Sequence, residues 1–255
     1  MVDIHCHILP GLDDGPGDMD TSMRMLENAV RCGTKAIIAT PHYYRGYFEN
    51  GFEEVLRNLD TLRGAAAESG IDIELYPGQE VFLDGRTVEM YKRGDIKGLN
   101  RSRYLLVEMP MHEYSDSFLD MVYELRLLGA VPVIAHPERY DYIINDVNKL
   151  NPFIDEGCLF QINAGSIEGI FGKTVQKASK VLIENGLCNF VASDAHTNGR
   201  RNTGLQEALE IAENISRTAA EIANGNSELL LRDGKIKANA RISVKKSFFS
   251  FLKQV

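Results

Sequence analysis

The chain has 255 residues, of which 44% are hydrophobic, and carries a formal net charge of -8. That size and apolar content suffice for a large core, so a single domain spanning residues 1–255 is expected. The acidic balance excludes a basic nucleic-acid-binding face, and no apolar run approaches the ~18 residues of a membrane helix, so neither a nucleic-acid partner nor an integral membrane segment is expected.

Strand-like apolar runs recur at Val2 to His5, Ala36 to Thr40, Ile73 to Tyr76, Tyr104 to Glu108, Val131 to Ala135, Leu159 to Ile162 and Phe190 to Ala192. Helical 3.6-residue spacing lies between several of them: Met23, Leu26, Ala29 and Val30; Val55, Leu59 and Leu62; Phe118, Met121, Val122 and Leu125; and, less cleanly, Val181, Leu182 and Leu187. Alternating strands and helices imply right-handed βαβ units on a parallel sheet. About seven such units in one modest chain predict closure into a distorted (β/α)7 TIM-like barrel, with an open doubly wound sheet as the rival.

The polar residues near the C-terminal ends of these runs favour the barrel, because barrel enzymes carry their chemistry on that rim. The first run leads into Asp3-Ile4-His5-Cys6-His7, where strand alternation presents His5 and His7 on one side. The turn-rich Gly11-Leu12-Asp13-Asp14-Gly15-Pro16 follows, and at least one of its acids can face the strand ends. His42 ends Thr40-Pro41-His42, Glu80 follows the turn Pro77-Gly78-Gln79, and Glu108 closes the fourth run. His136 begins His136-Pro137-Glu138-Arg139-Tyr140, and Asp194 with His196 mirrors the spacing of His5 and His7. A lone acid or histidine at a strand end is usually solvated; the repetition on successive runs points to a multi-metal hydrolytic centre. Imidazole nitrogens and carboxylate oxygens without thiolate suit divalent manganese, iron, zinc or magnesium, with manganese preferred.

Other motifs fail. Gly172-Lys173-Thr174 resembles the end of a P-loop, but Ile167 stands where that loop needs glycine. Asp18-Met19-Asp20-Thr21 mimics an aspartyl-phosphate motif, yet it follows Gly-Pro-Gly rather than a buried strand and is expected to cap a helix. Cysteine-based phosphatases need an arginine six positions after the nucleophile; Cys6, Cys32, Cys158 and Cys188 have Leu12, Ile38, Ala164 and Asp194 there. These scattered cysteines, with no C-x-x-C pair and no signal-peptide pattern at the start, fit a reducing cytoplasm. His112 is expected to be a surface residue. The basic-aromatic tail 245–255 is expected to pack on its own domain rather than on a partner or membrane.

Taken together, the Asp-Ile-His-x-His, Asp-Asp-Gly-Pro, Thr-Pro-His, Gly-x-Glu, Val-Glu, Ile-Ala-His-Pro-Glu-Arg-Tyr and Ala-Ser-Asp-x-His elements resemble the polymerase and histidinol phosphatase (PHP) superfamily. More closely, they resemble its bacterial manganese-dependent protein tyrosine phosphatases of capsule and exopolysaccharide synthesis. The resemblance runs nearly end to end and implies three divalent cations. His5, His7, Glu80 and Asp194 would hold the first; Glu80 would bridge to a second completed by Glu108 and His136; Asp14, His42 and His196 would hold the third. Many PHP relatives have histidine at the position of Glu108, and glutamate there is shared with the tyrosine phosphatase branch.

The same resemblance places Arg139 on the phosphate and a second arginine in Asn198-Gly199-Arg200-Arg201, where Arg200 and Arg201 both stand as candidates and Arg201 is preferred. Metal chemistry then implies attack by a water shared between two cations, with Asp194 and His196 in the catalytic constellation. Tyrosinate, with a parent pKa near ~10, is a tolerable leaving group. Tyr43, Tyr44, Arg45 and Tyr47 are candidate contacts at the pocket rim. The implied substrate is a phosphotyrosine protein such as the tail of a bacterial tyrosine kinase; the alternatives are a small-molecule phosphatase acting on histidinol phosphate, and a non-catalytic PHP binding module.

Overall fold

The computed structural model describes residues 1–245. Apart from Lys245, the basic-aromatic tail 245–255 lies outside the described residues. The strands are β1 (Val2–Cys6), β2 (Ala36–Ala39), β3 (His42–Tyr44), β4 (Phe48–Glu49), β5 (Glu74–Pro77), β6 (Glu80–Phe82), β7 (Tyr104–Glu108), β8 (Val131–Ala135), β9 (Leu159–Asn163) and β10 (Phe190–Ala192). The α-helices are α1 (Met19–Arg31), α2 (Phe52–Glu68), α3 (Thr87–Arg93), α4 (Ser117–Leu127), α5 (Asp141–Asn145), α6 (Asn151–Asp155), α7 (Ala164–Glu168), α8 (Lys173–Glu184), α9 (Gln206–Ile215) and α10 (Arg217–Leu231).

All ladders are parallel except the β3–β4 hairpin. One sheet runs β1-β2-β5 and the other β10-β9-β8-β7-β6-β3-β4. The two sheets are halves of one arrangement, because Ala39 pairs with Pro77 below a break and His42 pairs with Glu80 above it. Thr40-Pro41 and Gly78-Gln79 form that paired break, where Pro41 has no N–H to give a ladder. Counted through the breaks, seven parallel strand positions alternate with helices. The last returns to the first through a single bridge, Cys6 to Ala195, flanked by two backbone bonds: Asp194 N–H to the His5 carbonyl at 2.8 Å and His7 N–H to the Ala195 carbonyl at 2.9 Å.

The helices follow the apolar spacing. In α1 the buried side is centred on Met25, Leu26 and Ala29, with Met23 and Val30 half-buried beside it, and the Asp18 carboxylate caps its start by accepting the Thr21 N–H at 2.7 Å. Val55, Leu59 and Leu62 of α2 and Phe118, Val122 and Leu125 of α4 are buried as expected. Leu187, read as helical, lies past the end of α8, which begins at Lys173. The sequence reading missed α9 and α10, which bury mainly alanines, and Asn224-Gly225-Asn226 within α10 is poor helix sequence. Buried Asn226 is held by its bond to the Asn189 carbonyl at 3.0 Å.

Alternation along the strands sorts the core. Leu105, Val107, Ile134, Phe160, Ile162 and Val191 pack outward with the helices, whereas Leu106, Val133, Ala135, Leu159 and Ala192 fill the interior with Val2, Ile4 and Ile38. Strict alternation would keep Ile4 and Cys6 on one face. Instead Ile4 joins the interior and Cys6 packs with α1 and α2, because the β1–β2 register slips between Asp3 and Cys6. This bulge re-phases the strand, so that His5 and His7 follow Ile4 onto the interior side.

Candidate metal centre

Above the interior apolar layer, the same alternation delivers polar side chains: Glu108 after Leu106, Gln161 and Asn163 after Leu159, Asp194 after Ala192. His42 and Glu80, expected in loops, open the upper strand segments β3 and β6. Gly78 permits that route, since a Cβ there would lie 2.7 Å from Ile38 and 2.8 Å from Leu99. Two residues use left-handed backbone that non-glycine residues rarely adopt, His136 at φ 34° and Asp194 at φ 50°. Both turn the chain where β8 and β10 end.

The focus is Glu80 Oε2, which lies 3.1 Å from His5 Nε2, His7 Nε2 and His42 Nδ1. The two histidine Nε2 atoms are 3.2 Å apart, and Asp194 Oδ1 is 3.6 and 3.5 Å from them. Glu80 Oε1 faces His136 Nε2 at 3.0 Å, and Glu108 Oε1 stands 3.7 Å from the same nitrogen. On the other side, Asp14 Oδ1 is 3.1 Å from His196 Nε2 and 3.5 Å from His42 Nε2. Donor atoms gather as His5, His7 and Glu80; as His42, Glu80 and Glu108; and as His7, Asp14, His42 and His196. These overlapping sets differ from the expected partition: His42 faces two of the clusters, and His7 joins Asp14 and His196.

The donor set fits divalent cations. Separations near 3 Å are those of ligands roughly 2.1 Å from a shared ion. Glu80 Oε2 and His42 Nδ1 are buried in the cluster and lack a hydrogen-bond partner, a costly state that a cation relieves. The remaining imidazole nitrogens are already engaged: His5 Nδ1 donates to Gln161 Oε1 at 2.8 Å, His7 Nδ1 to Asp13 Oδ2 at 2.7 Å and His196 Nδ1 to the Asp194 carbonyl at 3.0 Å. Each bond leaves Nε2 with its lone pair facing the cluster.

Electrostatics match a site built for positive charge. Burial alone would raise the Glu80 carboxyl, but His5 and His42 hold it well below its ordinary range. Asp194 is likewise held down against burial by His5 and Arg201. Burial pushes His136 down to about 4, keeping it neutral and able to ligate. Burial, with Glu80 and Asp194 nearby, pushes Glu108 well up. Asp3, beneath the site and bonded to Ser193, is pushed up to about 6 by burial.

Arg139 Nη1 donates to Asp194 Oδ2 at 3.1 Å, and Arg201 Nη2 donates to Asp194 Oδ1 at 2.9 Å. Arg200, the less favoured of the two candidate arginines, is turned away from this carboxylate, with Nη2 donating to the Ile170 carbonyl at 2.5 Å. Tyr43 also departs from the expectation: its ring is buried with Val81 and Leu83, because alternation sends His42 and Tyr44 to the site side and Tyr43 to the core. Tyr44 does reach the rim, stacked on Phe82 at 4.1 Å and near Tyr47 at 4.5 Å. Arg45 is pinned to Asp84 at 2.6 Å. His112 is exposed and paired with Asp141 at 2.7 Å, and the four cysteines are free.

Sequence reasoning named Asp13 only as one of two acids in its loop, and missed Gln161, Asn163 and Phe82. Gln161 and Asn163 had a readable signal, two amides at period two in a strand otherwise apolar. Asn163 Nδ2 donates to Asp194 Oδ2 at 2.5 Å, which adds to the bonds fixing that carboxylate.

Comparison with known proteins agrees with this geometry. The family described as Capsular polysaccharide synthesis, CpsB/CapC matches residues 1–232. The tyrosine-protein phosphatase YwqE of Bacillus subtilis is 39% identical over 237 residues, covering 92% of this chain and 93% of that protein. The tyrosine-protein phosphatase CpsB of Streptococcus pneumoniae is 34% identical over 216 residues, covering 83% and 89%. A chain from the crystal structures of YwqE and CpsB, described as unique metal-dependent tyrosine phosphatases, superposes with a TM-score of 0.92 at 38% identity, covering 96% of this chain and all of that one. Over residues 1–232, the chain belongs to the CpsB/CapC family of capsular polysaccharide synthesis proteins.

Proposed function

We propose that the chain is a metal-dependent phosphatase that hydrolyses phosphotyrosine on protein. The observation that carries this reading is Glu80 Oε2, buried without a hydrogen bond and 3.1 Å from three imidazole nitrogens beside two arginines on Asp194. His5, His7, Asp14, His42, Glu80, Glu108, His136, Asp194 and His196 would hold three divalent cations, manganese preferred. When bound, such ions acidify water and neutralise phosphoryl charge.

The chain's own residues do the rest. Arg139 and Arg201 bind the equatorial phosphoryl oxygens, and Asp194 fixes the two guanidiniums relative to one another. Tyr44 and Phe82 form an aromatic wall for the substrate ring. The leaving tyrosinate, with a parent pKa near ~10, needs little proton donation at neutral pH. The proposed substrate is a tyrosine-phosphorylated protein of capsule or exopolysaccharide assembly, such as the tail of a cytoplasmic tyrosine kinase. The relatives' names support the activity, and no helix among the described residues is long and apolar enough to cross a membrane.

The test compares phosphotyrosine peptide, histidinol phosphate and sugar phosphates as substrates of the manganese-loaded protein and of Glu80→Gln. Preferred turnover of the peptide, lost in Glu80→Gln, is expected. Preference for the alkyl esters, or equal turnover by both proteins, refutes the assignment.

A further inference from the structure

The turn joining α7 to α8 carries a ring that both arginines touch. Phe171 lies with its centroid 4.7 Å from Arg139 Cζ and 5.9 Å from Arg201 Cζ. Left-handed glycines, Gly169 at φ 86° and Gly172 at φ 91°, bend the chain on either side of Ile170-Phe171. Gly165 leaves room for the ring, since a Cβ there would stand 3.2 Å from Phe171 and 3.3 Å from Ile170. The Arg200 bond to the Ile170 carbonyl ties the same turn to the loop that supplies Arg201.

Two guanidiniums share one carboxylate, Asp194, and each is a long side chain with rotamer freedom to lose. An aromatic ring attracts a cation to its face and limits where that cation can go. A ring bordering both arginines therefore narrows both at once, against their mutual repulsion. One donor in this assembly is left open: Arg201 Nε is buried and has no hydrogen-bond partner, an expensive condition that an anion's oxygen relieves.

We propose that Phe171 is a positioning residue that holds Arg139 and Arg201 for the phosphate group, with Arg200 bracing the turn beneath it. This assigns Phe171 a function and gives Arg200 a structural task in place of phosphate contact. It rests on the phosphatase reading for its substrate, but the phosphate site can be measured without turnover.

The experiment uses the metal-loaded full-length protein with Phe171→Leu, Phe171→Tyr, Arg139→Ala and the Phe171→Leu/Arg139→Ala double variant. Binding of inorganic phosphate is followed by calorimetry, and kcat and KM by hydrolysis of a phosphotyrosine peptide. Phe171→Leu should weaken phosphate binding about tenfold and lower kcat/KM by a similar factor, at unchanged metal content, while Phe171→Tyr stays within about twofold. Because the ring acts through the arginines, adding Phe171→Leu to Arg139→Ala should cost much less than it does alone.

Unchanged phosphate affinity in Phe171→Leu overturns the proposal. So does a fully additive loss in the double variant, or a loss accompanied by lost metal, which marks a packing role only. Wild-type protein that binds phosphate but leaves phosphotyrosine peptide intact refutes the substrate reading instead, and the phosphate-binding comparison still decides the role of Phe171.

Discussion

Asp13 Oδ2 sits 2.7 Å from His7 Nδ1 and also accepts the His42 backbone N–H at 2.8 Å, so one carboxylate orients the His7 ring and anchors the backbone from which His42 projects. Its neighbour Asp14 points instead into the donor cluster. The adjacent acids thus divide the work between supporting the centre and belonging to it.

This division predicts different metal-binding defects. Asp13→Asn keeps the shape but loses the charge that fixes His7, and should weaken divalent-cation affinity by about 10- to 100-fold with the full complement still reached at excess metal. Asp14→Ala removes a donor and should lower the bound stoichiometry. Calorimetric titration with manganese checks both; identical stoichiometry and affinity in the two variants would show the assignment to be wrong.

Removing metal should destabilise the fold, because buried Glu80 Oε2 and His42 Nδ1 are then left without a partner. At free manganese 100 times the dissociation constant, a single site contributes about 2.7 kcal/mol to unfolding free energy. Thermal denaturation with chelator and then with added manganese should move the midpoint down and back up. Glu80→Gln should abolish most of that response, and a full response in the variant would contradict the proposed centre.

Glu168 gives a pH dependence away from the centre. Burial and the charge of Glu207 push its carboxyl from 4.5 up to about 7. The folded state therefore holds a proton that the unfolded state has released between these values, so stability falls as pH rises through that window. The group is only half-buried, and after solvent screening the loss is on the order of 1 kcal/mol. Glu168→Gln should match the native protein at pH values below about 4.5 and melt higher at pH 8. Equal differences at both ends would exclude Glu168 as the cause.

Neighbouring tyrosines should behave oppositely. Tyr44→Ala removes the ring stacked on Phe82 and should raise KM for a phosphotyrosine peptide several-fold, as the loss of about 1 kcal/mol does. Tyr43→Phe, with its ring in the core, should leave KM unchanged. Steady-state kinetics on one peptide distinguish them, and a larger KM effect at Tyr43 would reverse the placement.

Much of this was legible in the residue pattern, because period-two alternation and strand-end position are local properties. His5 with His7 and Asp194 with His196 converge where that logic sends them, although a bulge nobody could read from the letters re-phases the first strand. Glu80 and His42 were located in the right neighbourhood but in loops, since Thr-Pro and Pro-Gly look like strand ends when they are interruptions. Arg200 and Arg201 are sequence neighbours of one chemistry; only the loop's path separates the guanidinium on Asp194 from the one on Ile170. The helices α9 and α10 went unread because their buried faces rest mainly on alanines rather than on the large apolar residues that mark α1, α2 and α4.

The single bridge between Cys6 and Ala195 joins segments 189 residues apart, and both donor pairs hang from it. During synthesis the first pair leaves the ribosome long before its counterpart exists. The nascent chain therefore cannot assemble the whole cage until most of its length has emerged, which ties metal loading to the last steps of folding. A product truncated before Asp194 would keep His5, His7 and Glu80 but lack the seam that locks them, and would be released as a weak chelator rather than a finished enzyme.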